Sequence, residues 1–124
     1  MDREEVQGWL DSYVAAWKSY DREQIAELFA EDAEYLDRPS AEPVRGRAAI
    51  VESWLENPDE PGTFDGTYSP VAIDGNIAVA TGSSTYRRAD NSIDKIYDNC
   101  FVMRFTSDGR CSSFTEWFME RPQP

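Results

Sequence analysis

The chain has 124 residues, of which 40% are hydrophobic, enough for one domain with one core and too apolar for a disordered protein. Its net charge of −12 argues against nucleic acid and anionic membrane surfaces as partners, because both bind clustered Lys and Arg. The absence of histidine excludes His-based catalytic units and argues against a zinc site, and the charged N-terminus lacks a signal-peptide pattern, so we expect a cytoplasmic protein without a cofactor.

The first half of the chain predicts three helices. Apolar residues recur every three or four positions after Asp2, the spacing of one face of an amphipathic helix, and Asp21 is placed to cap a second helix. The predicted helices span residues 2–20, 21–30 and 47–55. A short strand is predicted over 32–37, and the two prolines in 38–43 exclude regular structure there.

From residue 64 onward the pattern changes to strands separated by turn signals. The predicted strands span residues 68–73, 77–86, 96–105 and 111–119. Helices followed by consecutive hairpins predict one α+β domain over 1–124, with the helices packed on one face of an antiparallel sheet around an internal pocket. Residues 120–124 are predicted to be a frayed tail.

The last two strands predict which side chains face the pocket. With a four-residue turn over 106–109, Asn99 lies opposite Glu116 and Phe101 lies opposite Phe114. The inner face then carries Tyr97, Asn99, Phe101, Met103, Phe105, Phe114, Glu116 and Phe118. Because Glu116 and Asn99 are polar in an otherwise aromatic stripe, they form either the polar floor of a pocket or a structural pair.

The opposite face of the same strands predicts a contact between subunits. Trp117 and Met119 point away from the pocket although they are apolar, and no further helix follows in the sequence to cover them. We therefore expect a homodimer through this face; the alternative is that the loop after the third helix covers it. The register also keeps Cys100 away from Cys111, so no disulfide is expected.

Several segments resemble the nuclear-transport-factor-2-like superfamily, above all SnoaL-like proteins and ketosteroid isomerases. They are LFAEDAEY at 28–35, PVRGRAAI at 43–50, VMRF at 102–105, DGR at 108–110 and EW at 116–117. The resemblance implies a cone-shaped, curved antiparallel sheet wrapped by three N-terminal helices, the cystatin-like roll. It further implies a cofactor-free isomerase, cyclase or hydrolase that acts by carboxylate chemistry on a small apolar polyketide-, steroid- or terpenoid-like compound.

The resemblance also implies roles for single residues. Tyr13 and Asp37 match the tyrosine and the aspartate base of ketosteroid isomerases, whereas Phe101 stands where those enzymes carry a protonated acid. Glu116 matches by position the last-strand acid of limonene-epoxide-hydrolase-like members. Asn99 stands, together with a tyrosine two positions before it, where those members have an Asp and an Arg.

The predicted catalytic residues are therefore Asp37, Tyr13 and Glu116. Asp37 would be a general base in an apolar surrounding or, alternatively, the cap of a turn, and Tyr13 would hold an oxyanion or simply pack in the core. The predicted ligand-binding residues are Trp17, Tyr35, Trp54, Tyr97, Asn99, Phe101, Phe114 and Phe118, and further polar candidates are Thr81, Ser83 and Thr85. The alternative function is a non-catalytic ligand-binding or dimerisation module.

Overall fold

The computed structural model describes residues 1–123 and contains three helices and six strands. The helices are α1 (Arg3–Ser19), α2 (Arg22–Leu28) and α3 (Arg47–Glu56). The strands are β1 (Phe29–Leu36), β2 (Val44–Arg45), β3 (Phe64–Asp74), β4 (Ile77–Arg87), β5 (Ile93–Phe105) and β6 (Cys111–Glu120). The predicted α+β fold is confirmed, but the two-residue strand β2 was not predicted.

Local capping explains where the first two helices begin. Asp2 accepts a hydrogen bond from the Glu5 backbone N–H at 2.8 Å, and the Glu5 side chain accepts one from the Asp2 N–H at 3.1 Å, which forms a reciprocal capping box. Asp21 caps α2 as predicted, through the Gln24 N–H at 3.0 Å. Because Phe29 already has extended backbone angles (φ −119°, ψ 145°), α2 ends earlier and β1 begins earlier than predicted.

The six strands form one curved sheet in the order β2-β1-β6-β5-β4-β3. The pairs from β3 to β6 are antiparallel, as predicted, whereas β1 runs parallel to β6. The helices cover the inner face, where the largest fully buried side chains are Phe29, Phe101 and Phe114. This arrangement leaves a cavity between the helices and the inner face, beside the first half of β5 and the second half of β6.

The pairing of β5 with β6 differs from the prediction by two residues. Glu116 lies opposite Phe101 rather than Asn99. The connection 106–110 is one residue longer than the predicted turn, and Ser112 adds a second residue as a bulge in the ladder. Since a shift of two leaves every side chain on its face, the predicted inner and outer faces are correct.

The outer face of the sheet has large apolar side chains in solvent. Trp117 is 46% exposed and Met119 is 75% exposed. Both cysteines are free thiols, in agreement with the absence of a predicted disulfide. Within residues 1–123 no helix is both long enough and apolar enough to cross a membrane, and the cytoplasmic location stays a prediction.

The residues after β6 lie against β5. The Arg121 guanidinium donates to both carboxylate oxygens of Asp98 at 2.8–3.1 Å, and the Gln123 side-chain amide donates to the Asp94 carbonyl at 2.8 Å. These contacts hold Arg121 and Gln123 beside β5, and the fraying of 120–124 stays a prediction. The last residue of that segment, Pro124, lies outside the described residues.

Candidate functional site

A cavity of ≈ 890 Å³ lies between the inner face of the sheet and the helices α1 and α3. All six tyrosines of the chain line it: Tyr13, Tyr20, Tyr35, Tyr68, Tyr86 and Tyr97. Trp17 and Trp54 add further aromatic wall, and Ser84, Asn99 and Glu116 place polar groups at its inner end. The cavity therefore combines apolar ring faces with phenol hydroxyls, an amide and a carboxylate.

Glu116 is the acidic group at the inner end of the cavity. Its Oε2 accepts a hydrogen bond from Asn99 Nδ2 at 2.6 Å. Burial raises the pKa of Glu116 from 4.5 to about 7, the Asn99 hydrogen bond acts in the opposite direction, and the negative charge of Asp37 adds a smaller increase. Near neutral pH, Glu116 is therefore present in both its acid and its base form.

Ser84 and Tyr68, which were not predicted as site residues, extend this hydrogen bond. Ser84 Oγ donates to Asn99 Oδ1 at 2.9 Å, and Tyr68 Oη lies 2.5 Å from Ser84 Oγ. Ser84 and Asn99 are only 4% and 7% exposed. The four side chains Tyr68, Ser84, Asn99 and Glu116 form a hydrogen-bonded network, buried at all members except the half-buried Glu116. We call it the cross-strand relay, since it takes one residue from each of β3, β4, β5 and β6.

The alternative polar candidates on β4 were assigned to the wrong face. Thr81 is exposed, and Thr81, Ser83 and Thr85 have the opposite parity to Ser84, which points inward. The signal that identifies the inner face is the alternation of small residues that ends at Ser84, because Ala78 and Ala80 are buried with it.

Tyr13 and Tyr35 present neutral phenols to the cavity. Both rings stack on Phe114, with centroid distances of 5.7 Å for Tyr13 and 4.9 Å for Tyr35. Burial raises the pKa of both phenols above the ordinary value of 10, and each lies near the negative charge of Glu116, which adds to the increase. They are thus hydrogen-bond donors throughout the physiological pH range.

Asp37 also lines the cavity, but at its solvent-exposed rim. Its side chain is 61% exposed and lies 3.7 Å from the Arg38 guanidinium. The apolar surrounding predicted for Asp37 is wrong, because β1 ends at Leu36 and the chain then leaves the sheet in the exposed segment 37–40. The structure therefore places the two predicted carboxylates at one cavity but in different environments.

Most of the predicted ligand-binding residues line the cavity: Trp17, Tyr35, Trp54, Tyr97, Asn99 and Phe118. Phe101 and Phe114 do not, since they are 1% and 0% exposed and lie in the core. The prediction that these two phenylalanines contact the ligand is therefore wrong. The reason is that the Tyr68 ring covers Phe101, with a centroid distance of 4.7 Å, and the Tyr35 ring covers Phe114, with a centroid distance of 4.9 Å. The phenylalanines support the cavity floor from below.

The loop after α3 is attached at the other end of the cavity through Asp59. The Trp17 indole N–H donates to Asp59 Oδ2 at 3.0 Å, the Tyr20 hydroxyl donates to the same oxygen at 3.2 Å, and the Asp59 N–H donates to the Tyr20 hydroxyl at 2.9 Å. The Lys95 ammonium lies over the Tyr86 ring, 5.8 Å from its centroid. The mouth therefore carries charges of both signs beside aromatic rings.

The described residues contain no group of three or more acidic or cysteine side chains that could hold a metal ion. In the same part of the chain, Trp54 Nε1 is the one buried side-chain nitrogen or oxygen without a hydrogen-bond partner. At the inner end of the cavity, the groups available for chemistry are the Glu116 carboxylate, tyrosine phenols, the Ser84 hydroxyl and the Asn99 amide.

Comparison with known proteins gives a family and two similar solved structures. The model of a family described as "SnoaL-like domain" matches residues 10–114. An NTF-2-like protein of unknown function from Burkholderia xenovorans LB400 is 18% identical, with a TM-score of 0.72 over 98% of this chain and 88% of that chain. SalBIII, described as an epoxide hydrolase/cyclase-like enzyme in pyran ring formation in polyether salinomycin, is 19% identical, with a TM-score of 0.74 over 95% and 93%.

At these identities the two structures show a shared fold and no more. A search of curated proteins found no match to the chain.

Proposed function

The chain belongs to the SnoaL-like domain family, and on that premise we propose that it is an enzyme in which Glu116 transfers a proton to or from a small apolar substrate. One observation carries the proposal. Glu116 is a half-buried carboxylate whose pKa is raised to about 7 by desolvation, and it lies at the inner end of a large aromatic cavity. A general acid or base is most effective when its pKa is close to the operating pH.

The cavity lining supports a ring-containing substrate with oxygen functions, such as a polyketide-, steroid- or terpenoid-like compound. Its volume of ≈ 890 Å³ lies within the range of roughly 300–1,000 Å³ that is typical of drug-sized ligands. Aromatic faces favour flat apolar rings, and the phenols of Tyr13 and Tyr35 offer donors to an oxygen that gains negative charge.

The reaction we propose is an isomerisation, cyclisation or hydrolysis by acid–base chemistry. As a base, Glu116 accepts the proton of a hydroxyl or water that attacks the substrate, or a proton next to a carbonyl. Tyr13 then donates a hydrogen bond to the oxygen on which charge develops, and Glu116 returns the proton in the next step. Asp37 acts from the rim, where its charge raises the proton affinity of Glu116.

The test begins with a thermal-shift screen of polyketide, steroid and terpenoid compounds, including epoxides and enones, followed by product analysis of every hit. Glu116→Gln should lower turnover by about 10²–10⁴-fold, the usual contribution of a general acid or base. Asp37→Asn should lower it by less than about tenfold, because its carboxylate is mostly in solvent. Glu120→Gln, on the same strand and exposed, is the matched control.

The outcomes separate the proposal from its alternative. Full turnover by Glu116→Gln contradicts the assignment of the proton transfer to Glu116, and full turnover by Asp37→Asn removes Asp37 from the mechanism. If the wild-type protein binds its hits and converts none of them, the alternative, a non-catalytic ligand-binding module, replaces the enzyme.

We also propose that the chain forms a homodimer through the outer face of the sheet. The support is the exposure of Trp117 (46%) and Met119 (75%) on a face that no helix of the described residues covers. Sedimentation should give twice the chain mass of 14.1 kDa for the wild type and the chain mass for Trp117→Lys. A wild-type monomer at micromolar concentration would contradict the proposal.

A further inference from the structure

The cross-strand relay has a direction that its donors and acceptors determine. Asn99 donates from Nδ2 to the Glu116 carboxylate, so its Oδ1 faces Ser84 and must accept. A serine hydroxyl has one proton, and Ser84 gives it to that Oδ1. Tyr68 is then the donor in its contact with Ser84 Oγ, at 2.5 Å. Every hydrogen bond in the relay therefore points toward Glu116.

Two glycines provide the space in which the Tyr68 ring lies. A Cβ atom at Gly66 would overlap the Tyr68 hydroxyl and would lie 2.7 Å from its ring carbons. A Cβ atom at Gly82 would overlap the backbone carbonyl of Thr67 and would lie 2.7 Å from the Tyr68 ring. Neither glycine has a positive φ, so the small size of the residue and not its backbone freedom is what this region requires.

The relay binds one carboxylate oxygen of Glu116 and leaves the other without a hydrogen bond from the described residues. Oε2 accepts the Asn99 hydrogen bond, and among residues 1–123 no side chain or backbone group donates to Oε1. The residue lines the cavity, and Ser84 and Asn99 are buried behind it. A side chain that is held at one oxygen has a defined rotamer, which aims its second oxygen in a constant direction.

We propose that Tyr68, Ser84 and Asn99 are positioning residues that hold Glu116 through Oε2 and present Oε1 to the substrate as the atom that exchanges the proton. The inference deepens the proposed function of Glu116 and rests on it. Within the relay, the Asn99 amide is the group that contacts Glu116 directly. The Ser84 hydroxyl keeps that amide turned with Nδ2 toward Glu116, and an N–H donor in this position binds the carboxylate more strongly than the carboxylic acid.

Removal of the Ser84 hydroxyl should therefore change the titration of Glu116. In Ser84→Ala the amide is free to turn and accept a hydrogen bond from the protonated acid, so the acid form gains and the pKa of Glu116 rises. A hydrogen bond of ordinary strength corresponds to an increase of about one unit, tenfold in proton affinity. Tyr68→Phe keeps the ring on its glycines and removes only the first donor, so it should raise the pKa by about 0.3 unit.

The experiment is a ¹³C NMR titration of the side-chain carboxyl signals in protein labelled with [¹³C]glutamate, without any substrate. The Glu116 signal is the one that Glu116→Gln removes. Ser83→Ala is the matched control, because Ser83 is the neighbouring serine on the opposite face of β4. The melting temperature of each variant reports whether it is folded. A loss of packing alone would lower the melting temperature without changing the titration midpoint of Glu116.

An increase of about one unit in Ser84→Ala, a smaller one in Tyr68→Phe and none in Ser83→Ala support the relay. If Ser84→Ala and Tyr68→Phe both titrate within about 0.2 unit of the wild type, or if the pKa falls, the relay is wrong even when the wild-type value is near 7. A wild-type value near 4.5 instead contradicts the proposed function itself, so the two failures are distinguishable.

Discussion

The carboxylates of Glu116 and Asp37 both line the cavity, and their surroundings differ in almost every respect. Glu116 lies in the middle of a central strand, faces an aromatic layer and accepts a short hydrogen bond from a buried amide. Asp37 lies one residue beyond the end of β1, is 61% exposed and lies beside the guanidinium of Arg38. The same functional group is thus largely desolvated at one end of the cavity and mostly in solvent at the other.

The difference follows from the backbone and not from the residue type. An inward position within a strand is covered by the neighbouring strands and by the helix layer, so its carboxylate loses water. A position after a strand end has no such neighbours, and the prolines of the segment that follows Asp37 keep the chain away from the sheet. A carboxylate near an aromatic cluster in sequence is therefore not necessarily buried by that cluster.

The largest expected effect concerns the backbone around the buried end. Gly82→Ala should lower the free energy of unfolding by about 3 kcal/mol or more, because its Cβ meets a backbone carbonyl that cannot move aside. Gly8→Ala is the control: nothing lies within 4 Å of its Cβ, and in a helix interior it should stabilise the protein by about 0.5–1 kcal/mol. Urea unfolding measures both, and equal effects would contradict the crowding at Gly82.

A second prediction concerns the pH dependence of stability. The folded-state pKa of Glu116, about 7, lies above its ordinary value of 4.5, so the folded chain keeps a proton that the unfolded chain releases in this interval. The stability that Glu116 contributes is therefore complete below pH 4.5 and is lost as the pH rises through 7. The loss is about 3–4 kcal/mol, from a shift of about 2.5 units at about 1.4 kcal/mol per unit.

Glu116→Gln should remove this part of the pH dependence. Unfolding in urea at pH 5 and at pH 8 measures the free energies of the wild type and the variant, and Glu120→Gln serves as the exposed control. The quantity to compare is the change in the free energy of unfolding between pH 5 and pH 8, taken as wild type minus variant, because all other titrating groups are common to both proteins. A wild-type curve that is parallel to that of Glu116→Gln between pH 5 and pH 8 would show that Glu116 is not buried as described.

The smallest expected effect comes from the electrostatic coupling between Asp37 and Glu116. The charge of Asp37 adds to the pKa of Glu116, so Asp37→Asn should lower that pKa by a few tenths of a unit. Because the Asp37 side chain is mostly in solvent, 0.5 M NaCl should produce much of the same decrease in the wild type. A carboxyl NMR titration measures both changes, and an increase in either case would contradict the coupling.

Sequence alone could predict the faces of the last two strands but not their register. Alternation placed Asn99 and Glu116 on the inner face, and the structure agrees. The bulge at Ser112 and the fifth residue of the turn carry no composition signal, so the predicted partner of Glu116 was wrong by two residues. The Asn99–Glu116 hydrogen bond forms nevertheless, because long side chains reach diagonal neighbours across a strand pair.

Sequence could not identify the relay, because its members are far apart in the chain and only the pairing of four strands brings them together. Tyr68 has no local pattern that separates it from ordinary strand residues. The alternation of small residues could have placed Ser84 on the inner face, but the polar alternation of Thr81, Ser83 and Thr85 favoured the other face. The requirement for glycine at 66 and 82 becomes visible only when the Tyr68 ring is in place.

The pKa of Glu116 in the unliganded wild-type protein tests the central claim most directly. The ¹³C NMR titration of its side-chain carboxyl should give a midpoint near 7, since burial beside the aromatic floor of the cavity outweighs the stabilising hydrogen bond from Asn99. A midpoint near 4.5, the ordinary value for glutamate, would contradict the account, because Glu116 would then be ionised throughout the neutral range and could not exchange a proton there.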